Sequence, residues 1–132
     1  MKSTVLPFLA LALVLVSCSA LRPPLPPVDR RDPEAVLRGY FAAWQRGDWS
    51  AQASFMDSKY AGMDPEPVES LSVVEIAPLP GGSSGEGSYR VVFEIKVKGQ
   101  GVSMRSGRYD WTYYLTWDAA RASWLITNYG AG

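Results

Sequence analysis

Apolar residues change their rhythm along this 132-residue chain, and each rhythm predicts an element. Val36, Leu37, Tyr40, Phe41 and Trp44 recur at helical spacing and give one apolar face. Asp32 can cap the free N–H groups ahead of them, Pro33 suits the first helical position, and Gly47 is a natural terminator. Asp48 or Ser50 can cap a second, shorter helix through Phe55 and Met56. Residues 57–69 carry Gly62, Pro65, Pro67 and scattered charge, the composition of a loop with room for one helical turn.

The period then changes from helical to alternating. Residues 71–76 form a short strand, followed by a glycine- and serine-rich connection over 80–88. Tyr89, Val91, Phe93, Ile95 and Val97 alternate with mostly polar neighbours, which marks a half-buried strand. After a turn over 99–107, Tyr109, Trp111, Tyr113, Leu115 and Trp117 do the same. Residues 118–123 turn again and 124–129 close the chain as a last strand. Two helices followed by a four-strand antiparallel meander is an α+β fold, its aromatic sheet face covered by the helices.

Parity assigns side chains to faces. A hairpin centred near Ser103 sets Lys96 opposite Asp110, Glu94 opposite Thr112 and Phe93 opposite Tyr113. Asp110, an aspartate among aromatic residues, invites a general-base role. Its parity turns it away from the core and makes it half of a cross-strand ion pair with Lys96. Pairing Trp117 with Trp124 brings Asn128 near Tyr113 on the inner face. Tyr40, Trp44, Phe55, Trp111, Tyr113 and Asn128 thereby become the lining of a modest internal pocket, with full packing of the same space as the competing outcome. On the outer face, Val92, Tyr114, Leu125 and Tyr129 could form a patch for a homodimer or another partner.

The N-terminus has its own pattern. Lys2 precedes an apolar run over residues 5–16, which at about 1.5 Å per residue is too short to cross a bilayer core of about 30 Å. It reads as a targeting segment. The run ends in Leu15, Val16, Ser17 and Cys18, which resembles the lipobox of bacterial lipoproteins, where a peptidase cuts before an acylated cysteine. Residues 1–17 are then a lipoprotein signal peptide, and Cys18, the single cysteine, is the lipidation site. The resemblance implies an extracytoplasmic protein held to a membrane by its acyl chains, the outer membrane being open if the cell has two. Residues 18–31 include Pro23, Pro24, Pro26 and Pro27 and read as a stiff tether, leaving 32–132 as one domain.

Charge and composition narrow the chemistry. The chain has 13 basic and 13 acidic residues, which argues against a nucleic-acid partner. It has no histidine, so the commonest proton-transfer residue and the usual zinc sets are missing. Asp57, Asp64, Glu66 and Glu69 lack the spacing of a calcium loop and read as solvated acids. No cofactor or metal is expected.

Residues 34–49, EAVLRGYFAAWQRGDW, resemble the first helix of nuclear transport factor two-like proteins, whose sheet wraps helices as a cone. Residues 124–132, WLITNYGAG, resemble the end of a functionally uncharacterised family of bacterial lipoproteins with that fold. The resemblance implies a cone with an internal pocket, and that superfold carries both enzymes and binders. The expectation is a non-catalytic domain that binds a small molecule or an envelope partner. The alternatives are a lyase or isomerase using a buried carboxylate, and a purely structural interaction domain.

Overall fold

A computed structural model describes residues 23–60, 65–99 and 103–131. The expected signal peptide and Cys18 lie outside them. Helix α1 spans Pro33–Arg46, with the Asp32 side chain accepting from Glu34 N and Gly47 ending it in the left-handed conformation at φ 68°. Helix α2, Trp49–Ala53, is capped by Asp48 and stops short of Phe55 and Met56. A single 3₁₀ turn, Ser58–Tyr60, follows. Strands β1 (Val68–Pro78), β2 (Glu86–Val97), β3 (Gly107–Asp118) and β4 (Ser123–Ala131) form one antiparallel sheet in the order β1-β2-β3-β4. The α+β arrangement is therefore as expected. β1 is longer than 71–76, and its proline at position 78 is tolerated because β1 is an edge strand.

The inner faces match the alternation. Val91, Phe93, Ile95, Tyr113 and Leu115 are buried with Val36, Leu37, Tyr40, Phe41 and Trp44 of α1. Phe41 is central. Its ring lies 5.0 Å from Phe93, 5.1 Å from Tyr40 and 5.4 Å from Tyr113 between centroids.

Two registers differ from expectation. Asp110 faces Val92, and Phe93 faces Tyr109, so β2 is displaced by four residues from the expected pairing. The cause is at the turn. β2–β3 pairing ends at Ile95 and Gly107, and Val97 N donates to Ser106 Oγ at 3.0 Å. An even displacement leaves every side chain on its face. In β4, Tyr114 pairs with Asn128 but Leu115 pairs with Ile126, so Thr127 is the extra residue of a bulge. The bulge reverses parity beyond it. Tyr129 turns inward and stacks on Tyr113 at 5.5 Å, while Asn128 turns outward and is exposed. Burying a tyrosine ring outweighs burying an amide with no partner. Thr127 Oγ1 donates to Tyr114 O at 3.2 Å, which anchors the bulge.

The proline-rich stretch also departs from expectation. Over its described part, 23–31, it is a strap laid on the helices rather than a free tether. Leu25 and Val28 pack on the core. Trp124 N donates to Arg30 O at 2.9 Å, and Trp124 Nε1 to Arg31 O at 3.1 Å. The Arg30 guanidinium donates to Ser54 O and Oγ and lies 4.5 Å from the centre of the Phe55 ring. Arg46 donates to Pro23 O. Proline removes donors that would need partners and preorders the extended chain, so the strap docks at low entropic cost.

Gly39 makes that docking possible. A Cβ at this helical position would stand 2.7 Å from Val28 Cγ2 and 2.8 Å from Phe55 Cζ. Alanine there gains helix propensity of about 1 kcal/mol but overpacks the contact at about 1–3 kcal/mol. Gly39→Ala is expected to lower stability or loosen the strap, read as a fall in the denaturation midpoint or faster amide exchange at Val28. An unchanged midpoint with unchanged exchange would contradict the close approach.

Candidate functional site

The six residues expected to share one pocket are distributed among different surroundings. Trp44 Nε1 donates to Glu66 O at 2.8 Å and is buried. Tyr113 is fully buried between Phe41, Tyr40 and Tyr129. Trp111 stacks on Tyr129 at 5.8 Å and meets Phe93 edge-on. Phe55 lies on the strap side of α1, against Gly39. Asn128 is on the outer face, and its Oδ1 accepts from Tyr129 N at 2.9 Å. Tyr40 alone of the six borders the small internal cleft. The aromatic core is packed, and the expected pocket is not formed by this set.

The internal cleft measures about 60 Å³ and among the described residues is lined by Tyr40, Trp49, Gln52, Met56, Tyr60 and Tyr129, with Ala53 and Pro65. Gln52 is a buried amide that the periodicity did not single out. Burial raises the Tyr40 phenol far above its ordinary value, with Tyr129 adding to the effect. Burial raises Tyr113 as well, reinforced by Tyr40, and raises Tyr129 with help from Tyr60. All three phenols therefore stay neutral well past ordinary pH.

A larger groove of about 550 Å³ runs between the strap and the helices. Leu25 and Val28 form one wall, and Gly39, Ala42 and Phe55 the other. Arg30 and Arg38 also line it. The small residues of α1 lower the helix surface, and the strap stands over that depression. Periodicity could not reveal this site, because it requires residues 23–31 to fold back on the domain. The available signal was the run of small residues Ala35, Gly39 and Ala42 on one face of α1.

Asp110 is the expected ion-pair member, with a different partner. The Arg90 guanidinium donates to it at 2.6–3.1 Å, and Lys96 instead meets Glu69 at 3.2 Å. These contacts, with Glu75–Arg90 and Glu94–Arg108, lay a ladder of charge across the outer face. The hydrogen bonds from Arg90 hold the Asp110 carboxyl below its ordinary value. The pair thus stabilises the fold above the ordinary carboxylate range, and that contribution fades as pH falls through the depressed value. Asp110→Asn is expected to differ slightly from wild type in a neutral denaturation curve and to match it in strong acid. A difference that grows toward acid would contradict the pairing.

The other outer-face expectation changes too. Val92 and Leu125 are buried, Tyr129 faces inward, and Tyr114 remains exposed between Ser88 and Asn128. Glu66, expected to be solvated, is the one charged side chain of the described residues that is buried. Its Oε2 accepts from Ser103 Oγ at 2.8 Å and lies 3.3 Å from Ser103 N, fastening the β2–β3 turn to the end of α1. It lines neither the groove nor the cleft. Among the described residues, no cluster of three or more acidic, cysteine or histidine side chains could hold a metal ion.

A scan against protein families and a search of curated proteins found no match. Among solved structures, the chain is similar to a SEC-C motif-containing protein from Rhodopseudomonas palustris. The two are 16% identical, with a TM-score of 0.54 over 79% of this chain and 81% of that one. At that identity the likeness concerns the fold alone.

Proposed function

We propose that this chain is a lipid-anchored extracytoplasmic domain of the nuclear transport factor two-like kind, which binds a small apolar-tailed molecule without transforming it. The groove beneath the strap carries the reading. Its volume of about 550 Å³ falls in the range of about 300–1,000 Å³ typical of ligand sites, and its walls are mainly apolar. Arg30 and Arg38 line it, Arg38 paired with the exposed Glu34 at 2.8 Å and Arg30 bonded to Ser54, so the carboxylate of an amphipathic ligand such as a fatty acid would take the place of Glu34 on Arg38. The non-catalytic reading is supported by the setting of Glu66, whose carboxylate is engaged by Ser103 and faces neither cavity. The lipid anchor is supported by the sequence at Cys18, and membrane attachment would keep the groove near a source of apolar ligands.

The test is a titration with dodecanoate followed by nuclear magnetic resonance. Saturable shifts at Leu25, Val28 and Phe55 are expected. An absence of saturable change at those residues refutes the groove as a ligand site.

A further inference from the structure

Gln52 Oε1 has no protein hydrogen-bond partner among the described residues, and Gln52 is only 3% exposed. Native proteins seldom leave such an atom unsatisfied, so it marks a place where another molecule supplies the bond. Gln52 borders the cleft of about 60 Å³, and its side chain and that of Tyr113 both approach the Tyr40 hydroxyl. The Tyr60 hydroxyl is occupied, donating to Thr127 O at 3.1 Å.

The described residues place no charged side chain in the lining of this cleft. Tyr40 and Tyr129 keep their protons, and among the described residues no carboxylate, lysine or arginine lines the cleft. Lys59 is not among the lining residues; its ammonium lies 5.1 Å from the centre of the Tyr60 ring. An ion entering such a well loses its hydration without gaining a counter-charge. A neutral guest does not. The volume equals that of about two waters in the liquid, enough for an amide group and little more.

We propose that this cleft is a second binding site, independent of the groove, for a neutral amide group. The ligand N–H donates to Gln52 Oε1, and its carbonyl accepts from the Tyr40 hydroxyl. The rings of Trp49 and Tyr129 and the thioether of Met56 supply apolar walls.

The probe is acetamide, titrated into the full chain while the Met56 methyl resonance is followed. The wild type is expected to give a saturable shift. Gln52→Leu and Tyr40→Phe are each expected to weaken binding about tenfold, the loss of one buried hydrogen bond. Tyr40→Phe keeps the ring and therefore the packing, so it carries the comparison if Gln52→Leu does not fold. No saturable shift in the wild type, or an affinity unchanged in Tyr40→Phe, would overturn the proposal. Dodecanoate binding in the groove is read separately at Leu25 and Phe55, so either site can fail without the other.

Discussion

Replacing Phe41 with alanine is expected to cost about 3–5 kcal/mol, the range for truncating a fully buried phenylalanine. The reason is its position where the aromatic rings of α1, β2 and β3 meet. Its ring touches Phe93 of β2, Tyr113 of β3 and both Tyr40 and Trp44 of its own helix. The surrounding rings are large and rigid, so they cannot collapse into the space left behind. A domain of this size has only about 5–15 kcal/mol in total, so the variant should be near the edge of folding. A chemical denaturation series gives the number. A loss below about 1 kcal/mol would contradict the packed core, because that is the cost of deleting little more than a methylene group.

The second large effect concerns the membrane. Cys18→Ala is expected to move the protein from the detergent phase to the aqueous phase in a phase-partition experiment. Each methylene buried in the bilayer contributes about 0.8 kcal/mol, and two or more acyl chains are needed for durable attachment. The chain has no other cysteine that could accept them. Wild-type protein found wholly in the aqueous phase would refute lipid anchoring. The groove reading would survive that result, since it depends on residues 25–55 alone.

The helices and strands were legible because their burial follows simple periods. Asp32 and Gly47 bound α1 as their capping chemistry dictates, and the inward stripes of β2 and β3 hold from Tyr89 to Val97 and from Tyr109 to Leu115. The sites were less legible, for three physical reasons. The bulge at Thr127 inserts one residue, and no local pattern announces it, so Asn128 exchanged faces with Tyr129. The strap is held by contacts to Trp124, Ser54 and Phe55, which lie far along the chain, so proline content alone suggested a free tether. Gln52 and Glu66 look like ordinary polar residues, yet tertiary packing buries both. In each case a nonlocal contact outweighed the local signal. Asp110 is the opposite case. Parity placed it outward, and an error in register changed its partner from Lys96 to Arg90 without changing its face.

The central claim is that the groove beneath the strap binds an apolar-tailed ligand. Ala42 lines that groove and is only partly buried, so a larger side chain there would grow into the open space rather than into the core. The most direct measurement is dodecanoate affinity in wild type and Ala42→Trp, with both variants shown to have matching denaturation curves. Saturable binding by the wild type and a loss of at least about tenfold in Ala42→Trp is the predicted result. Equal affinity in the two proteins would place the ligand elsewhere, and absence of binding by the wild type would contradict the claim outright.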